Sequence, residues 1–105
     1  MVHSNHAKPP DIDTIPYGVH PGQIVRACLR TAHLTQATAA DLIGISRRTL
    51  NRIIAGHLRV TAQTAPALGA LLSSGPRYWM QLQLNNDLWR QEHRARRGHQ
   101  SGGGG

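Results

Sequence analysis

The sequence predicts an all-α protein, a compact five-helix domain between flexible N- and C-terminal tails. Three observations lead to this class. The apolar residues recur at helical spacing through the middle of the chain, and no stretch alternates as a half-buried strand would. Residues typical of helix starts and stops divide this pattern into short segments with short connections. The length of 105 residues is that of one domain.

The helix ends follow from capping residues and from proline or glycine. Pro21 suits the first position of helix 1, and Pro76 suits that of helix 5. Thr35 and Ser46 are predicted N-caps, and Gly44 between them is predicted to stop helix 2 in the left-handed conformation. In chain order, the predicted helices run from Pro21 to Thr31, from Thr35 to Ile43, from Ser46 to Gly56, from Thr61 to about Leu72 and from Pro76 to about Glu92.

Three stretches are predicted to depart from regular structure. Helix 4 contains Pro66, which lacks a backbone donor, and Gly69, which adds flexibility, so we expect a bend or a late start. Residues 1–19 hold several prolines and few apolar residues and are predicted to be a flexible segment. Residues 93–105 are basic and glycine-rich and are predicted to be a flexible tail. The folded domain is therefore expected to span residues 20–92.

The charge and the composition exclude several classes of protein. The formal net charge is +7, and every positive residue except Lys8 is an arginine, whose planar donor fork suits phosphates and guanine edges. No apolar run is long enough for a transmembrane helix, and the N-terminus lacks the apolar segment of a secretory signal. The single cysteine, Cys28, excludes a disulfide within the chain and is predicted to be a buried thiol. Together these observations predict a cytoplasmic protein.

Residues 36–56 carry the pattern of two helices that cross closely through a tight turn. Gly44-Ile45-Ser46 separates the helices, and the small Ala40 lies one helical turn before the glycine, where two backbones can approach each other. This is the spacing of a helix-turn-helix. The apolar residues predicted to lock the crossing are Leu42, Ile45, Leu50 and Ile53.

On a helical wheel, helix 3 separates an apolar face, with Leu50, Ile53 and Ile54, from a face of arginine and asparagine. Arginine pairs with guanine through two hydrogen bonds and asparagine pairs likewise with adenine, so this face is predicted to read DNA. Such side chains can also simply solvate a surface helix, but no acid lies between Asp41 and Asp87 to pair with them. The predicted base-reading residues are Arg47, Arg48, Asn51 and Arg52, and those predicted to position helix 3 on phosphate are Ser46, Thr49 and Gln36.

Two further motifs flank the helix-turn-helix. Residues 20–24 read HPGQI, and residues 75–83 read GPRYWMQLQ, followed by NDLW at 86–89. With the helix-turn-helix between them, these motifs resemble the HPGEIL opening and the SPEFWLNLQ…YDLW ending of the HigA antitoxins, a VapI-like branch of the Xre/Cro-type helix-turn-helix proteins. The resemblance covers about residues 20–90, and it departs from the family where Gln23 and Arg77 replace acids.

The resemblance implies a lambda-repressor-like fold and a protein with two activities. The first is binding and neutralising a cognate HigB-type toxin, similar to the RelE-like mRNA endonucleases, although the motifs assign no toxin-binding residues. The second is repression of its own operon, as a homodimer on a palindromic double-stranded operator. The residues by themselves also leave open a stand-alone helix-turn-helix repressor without a toxin, or a protein inhibitor that no longer binds DNA.

No catalytic, metal or cofactor site is predicted. The few acids form no close pair in the folded part, and there is no glycine-rich phosphate loop, so the sequence does not predict an enzyme. His3 and His6 have an H-x-x-H spacing but lack the further ligands of a zinc site. Trp79 and Trp89 are expected to pack in the core or in a dimer rather than to bind a ligand.

Overall fold

The structure, a computed structural model, describes the backbone of residues 8–104 and the side chains of residues 8–94. Within that part of the chain every regular element is helical, and a 3-10 turn (Ile12–Thr14) precedes the first α-helix. The predicted all-α, five-helix fold is therefore confirmed. The helices are α1 (Pro21–Thr31), α2 (Gln36–Ile43), α3 (Arg47–Ile54), α4 (Ala65–Leu71) and α5 (Pro76–Gly104).

The predicted start and stop signals of α2 act as expected, and so does the predicted cap of α3. The Thr35 hydroxyl accepts a hydrogen bond from the Thr38 backbone N–H at 3.0 Å, which satisfies one free donor at the start of α2. Gly44 ends α2 with φ +74°. The end of α3 was predicted at Gly56, but the helix stops at Ile54 because Gly56, at φ +83°, already belongs to the left-handed turn that follows.

The start of α1 is closed by a reciprocal cap. His20 Nδ1 accepts from the Gly22 backbone N–H at 2.9 Å, and the His20 backbone N–H donates to Gln23 Oε1 at 2.9 Å. Gln23 therefore fills the role that a glutamate plays in other capping boxes. Burial and the Arg90 guanidinium lower the pKa of His20, and Asp87 opposes part of that shift. The neutral form, which keeps the acceptor nitrogen, is thus the one that the fold favours.

The expected late start of α4 is confirmed, because the helix begins at Ala65 rather than after Thr61. Pro66 then lies in the first turn, where a backbone N–H needs no intrahelical partner. Gly69 has a packing role in addition. A Cβ at this position would lie 2.5 Å from the carbonyl carbon of Gly75, so only glycine lets α4 pack this closely on the start of α5.

In the core, α4 packs on α5 and α2, and α3 packs on α1 and α2. Helix α1 also contacts α5, and Trp79 belongs to the buried cluster between the helices. Trp79 is fully buried, and its indole N–H donates to the Ser74 hydroxyl at 2.7 Å, so its predicted core role is confirmed. Trp89 is only half-buried and stacks on the His93 ring, with centroids 3.9 Å apart. Cys28 is buried, and burial raises the pKa of its thiol, which keeps it protonated and unreactive at neutral pH.

Residues 8–19, predicted to be flexible, lie against α5 and are called the N-terminal strap here. The Ile15 side chain is buried, the Tyr78 hydroxyl donates to the Pro10 carbonyl at 2.7 Å, and Asn86 Nδ2 donates to the Gly18 carbonyl at 3.1 Å. Polar groups of α5 thus satisfy two carbonyls of this proline-rich segment, and the flexibility of residues 1–19 stays a prediction. Residues 1–7 lie outside the described part.

At the other end, the backbone of α5 continues past the end predicted near Glu92. The basic side chains beyond Arg94 that were assigned to a flexible tail lie outside the described side chains. No helix of the described residues is both long enough and apolar enough to cross a membrane.

Candidate nucleic-acid interface

The turn between α2 and α3 is built by backbone hydrogen bonds to one carbonyl. The Ala40 carbonyl accepts from the Gly44 N–H at 2.9 Å and from the Ile45 N–H at 3.3 Å. Ala39 and Ala40 are fully buried, so the two helices cross over small side chains as predicted. This arrangement fixes the angle at which α3 leaves the domain.

Of the four residues predicted to lock the crossing, three do so. Leu50 and Ile53 are fully buried and Ile45 is half-buried, but the Leu42 side chain is 65% exposed. The prediction for Leu42 is wrong because Ala39 and Ala40 occupy the core side of α2. At about 100° per residue, Leu42 lies roughly 200° around the helix from Ala40 and therefore points outward.

A close backbone contact with α1 braces the far end of α3. A Cβ on Gly22 would lie 2.0 Å from the Ile53 carbonyl oxygen and 2.9 Å from Ile54 Cα. Because Gly22 has no side chain, the start of α1 rests directly on the last turn of α3. The HPGQI motif thus positions α3 from a distant part of the sequence.

The two faces of α3 are as predicted. Leu50, Ile53 and Ile54 are buried against the core. The opposite face presents exposed polar side chains to solvent, and it is called the α3 outer face here; its members are Arg47, Arg48, Asn51 and Arg52. The structure therefore brings together the four residues predicted to read bases.

The three residues predicted to position α3 lie at the starts of α2 and α3. Ser46 caps α3, since its hydroxyl accepts from the Thr49 backbone N–H at 3.0 Å and donates to Thr49 Oγ1 at 2.8 Å. The Ser46 hydroxyl is thus occupied within the cap, whereas the half-buried Thr49 hydroxyl keeps its own proton free to donate. Gln36 is the first residue of α2 and is half-buried.

One charge on this surface was misjudged from the sequence. The arginines of α3 were taken as unpaired because no acid follows Asp41 until Asp87, but Arg47 Nη2 donates to Asp41 Oδ2 at 3.1 Å. The pair spans the turn between the two helices, outside the three- and four-residue spacings that a helical wheel examines. Within the described residues, Arg48 and Arg52 form no ion pair.

The loop after α3 is tied to α5 by polar contacts that the sequence did not reveal. Gln83 is almost fully buried on α5, and its Oε1 accepts from the Val60 N–H at 2.7 Å while its Nε2 donates to Asp87 Oδ1 at 2.9 Å. Asp87 also pairs with Arg59 of the loop. These contacts hold the chain that leaves α3 and direct the Arg59 guanidinium toward α5.

In the part of the chain that the structure describes, no group of metal-ligating side chains accompanies this interface. No three histidine, cysteine or acidic side chains come together there as metal ligands. His20 caps α1 and His93 stacks on Trp89, so both have packing roles. His3 and His6 lie outside the described part of the chain.

Comparison with known proteins agrees with this geometry. The model of the helix-turn-helix family HTH_3 matches residues 25–79, from α1 to the start of α5. The chain belongs to the Xre/Cro-type helix-turn-helix family. The match contains the helix-turn-helix but not the residue 20–24 motif or the residue 86–89 motif of the sequence resemblance.

The curated relatives that the chain matches include a regulator and an antitoxin. The chain is 32% identical over 57 residues to an uncharacterized HTH-type transcriptional regulator of Haemophilus influenzae, covering 54% of this chain and 53% of that one. It is 34% identical over 56 residues to the antitoxin HigA-1 of Vibrio cholerae, covering 53% of this chain and 52% of that one. The chain thus spans about half the length of the curated relatives it matches.

A solved structure of the same fold extends the match. The crystal structure of an antidote protein of a plasmid maintenance system from Nostoc punctiforme superposes with a TM-score of 0.76 at 30% sequence identity. The match covers 79% of this chain and 91% of that one. The likeness therefore includes most of the helical domain rather than the helix-turn-helix alone.

Proposed function

We propose that the chain is a DNA-binding antitoxin that represses its own operon. One observation carries the DNA-binding part: α3 buries a complete apolar face while its outer face offers three arginines and an asparagine to solvent. The similarity to a transcriptional regulator and to the antitoxin HigA-1 supports both parts. No enzymatic step is included in the proposal.

In this proposal α3 enters the major groove. Arg47, Arg48, Asn51 and Arg52 meet base edges, with Arg47 at the start of the helix. The Thr49 hydroxyl and the Gln36 side chain donate to phosphates that flank the groove, and the cap made by Ser46 fixes the first turn of α3 against the backbone. Phosphate contacts then set the register, and the α3 outer face supplies the sequence preference.

The base-reading assignment is tested by Arg48→Ala and Asn51→Ala. Binding is measured by fluorescence anisotropy on a duplex from the region upstream of the chain's own gene and on a random duplex. Each variant is expected to lose about 1–3 kcal/mol, roughly 5- to 150-fold, on the upstream duplex and much less on the random one. Arg26→Ala removes the same charge from an exposed position of α1 and serves as control. Equal losses on both duplexes would contradict base reading.

The palindromic operator of this proposal requires a dimer, and α5 offers a surface for one. Leu84 and Leu88 are 48% and 50% exposed, and they continue the four-residue spacing of Met80, which is partly buried against the core. We assign this α5 ridge to contact with a second copy of the chain. In an antiparallel pairing centred near Leu84, Met80 meets the partner's Leu88. Exposed Arg77 and Glu92 lie at opposite ends of the ridge. In this pairing, Arg77 of each copy lies near Glu92 of the other copy, and their charges are opposite.

The dimer is tested by Leu84→Glu, with Leu42→Glu as the matched control. Both leucines are exposed, but Leu42 lies on α2 away from the ridge. Light scattering should find the Leu84→Glu variant monomeric and the Leu42→Glu variant dimeric, because only the first places charges of the same sign against each other in the pairing. A Leu84→Glu variant that remains a dimer would refute the use of this ridge.

The proposed toxin partner is a HigB-type, RelE-like mRNA endonuclease. The similarity to HigA-1 and to a plasmid-maintenance antidote supports an antitoxin role, and no residue is assigned to toxin contact. The test is a pull-down of the tagged chain from its native host, with neighbouring genes intact, followed by mass spectrometry. We expect a small basic protein to co-purify in stoichiometric amount. Expression of that protein in the absence of this chain should arrest growth. Recovery of specific DNA without such a partner would instead favour a stand-alone repressor.

A further inference from the structure

The segment from α2 to the end of α3 carries a single acid, Asp41, among three arginines. Its carboxylate accepts from Arg47 Nη2 at 3.1 Å, and both side chains are largely exposed, at 65% and 64%. A negative charge beside a surface that faces phosphates opposes binding through its field. Asp41 therefore does not increase the affinity of this surface for DNA, and we expect another role for its carboxylate.

Fold stability does not supply that role. Exposed ion pairs add little to stability, because water screens them and ordering two long side chains costs entropy. Asp41 also lies near the C-terminal end of α2, where a negative charge opposes the helix dipole. It is not a cap either, since Thr35 and Gly44 close the two ends of α2. The contact that the Asp41 carboxylate makes is the ion pair with the Arg47 guanidinium across the turn.

We propose that Asp41 is a positioning residue that sets sequence specificity through Arg47. An arginine at the start of α3 has phosphates within reach as well as bases, and phosphate contacts carry no sequence information. Engaging one Nη atom in the ion pair leaves the remaining donors of the guanidinium for a base edge and keeps the group away from the backbone. This inference rests on the proposed DNA binding through the α3 outer face.

A salt titration separates this role from simple repulsion. If Asp41 is neutralised, Arg47 becomes free to take a phosphate, and each added phosphate contact steepens the slope of log K against log salt by about 0.9. Binding to any duplex tightens, while the preference for one sequence declines. A general charge effect would instead tighten binding to specific and random duplexes by the same factor.

The test compares Asp41→Asn with Asp13→Asn, which makes the same charge change on the exposed 3-10 turn. Affinities for the upstream and random duplexes are measured between about 50 and 200 mM salt. For Asp41→Asn we expect binding to the random duplex to tighten roughly three- to tenfold with a slope steeper by about 0.9, and the specificity ratio to fall at least about threefold. Asp13→Asn should leave the ratio and the slope at their wild-type values, and unchanged thermal unfolding of both variants excludes a folding effect.

Two further variants show whether Asp41 acts through Arg47. In an Arg47→Gln background, Asp41→Asn should no longer change the specificity ratio, because no guanidinium remains to be held. Asp41→Glu keeps the carboxylate and should restore most of the ratio. A ratio unchanged by Asp41→Asn, or one that falls equally in the Arg47→Gln background, overturns the inference while the proposed DNA binding stands. A wild-type chain that does not distinguish the two duplexes overturns the proposed function, and the role of Asp41 with it.

Discussion

Replacing Gly22 by alanine tests whether the contact between α1 and α3 holds the recognition helix in place. Helix propensity alone favours the change by at most about 1 kcal/mol, the interior difference between alanine and glycine, because Gly22 is only the second residue of α1. The tertiary contact opposes it. The added Cβ would lie 2.0 Å from the Ile53 carbonyl oxygen and 2.9 Å from the Ile53 carbonyl carbon, and both are backbone atoms that cannot rotate away.

The magnitude follows from these two opposing terms. Overpacking a rigid contact costs about 1–3 kcal/mol and sometimes more, and the 2.0 Å approach to a backbone oxygen places Gly22→Ala at or above the upper end. After subtracting the helix-propensity gain of at most about 1 kcal/mol, the net loss of stability is about 2 kcal/mol or more. For a domain of this size, that loss lowers the Tm by about 8–16 °C.

Thermal and urea unfolding followed by circular dichroism measure the effect. Ala27→Gly, at an exposed position of the same helix, reports the propensity difference without a packing change and should cost about 1 kcal/mol. Gly22→Ala should also weaken binding to the upstream duplex, because α3 must shift to relieve the contact. A Gly22→Ala variant that is more stable than the wild type, by roughly the Ala27→Gly difference, would refute the reasoning.

Three further predictions concern the cap, the buried polar network and the surface. Because its pKa is lowered in the folded state, His20 takes up protons more readily when the chain unfolds, so stability should fall as pH drops through about 6.5. Urea midpoints between about pH 8 and 5 should show this decline for the wild type and a smaller one for His20→Asn, which keeps a capping acceptor. Gln83→Leu leaves the buried Val60 N–H without its acceptor and should lower the free energy of unfolding by about 1–3 kcal/mol, measured with urea. An unchanged urea midpoint would show that this hydrogen bond does not stabilise the fold. Leu42→Ala should change the free energy of unfolding by less than about 0.5 kcal/mol and Leu50→Ala by about 2–5 kcal/mol, so comparable losses would contradict the assigned burial.

Much of the helical arrangement was predictable because the signals that set it are local. Thr35 and Ser46 cap α2 and α3 through backbone groups three residues away, and Gly44 adopts the left-handed conformation that its lack of a Cβ permits. The division of α3 into an apolar and a basic face depends only on the 3.6-residue period. For these features, a few neighbouring residues contain the whole physical cause.

The features that were missed depend on residues far apart in the sequence. Whether Leu42 faces the core was decided by which side of α2 the rest of the domain covers. The course of the N-terminal strap depends on Tyr78 reaching Pro10, 68 positions away. The composition of residues 8–19 predicts a flexible segment, because composition carries no information about hydrogen bonds from α5.

The sequence by itself determined the class of fold, the ends of α1 and α2 and the identity of the α3 outer face, since these follow from caps, glycines and periodicity. The tertiary structure decided how that face is presented. Gly22 sets α3 at its distance from α1 through a backbone contact, and Gln83 ties down the loop that follows α3. Asp41 engages Arg47 across the turn at a spacing that no helical period predicts. These contacts depend on the relative positions of packed helices, which are set only when all the apolar faces are buried together.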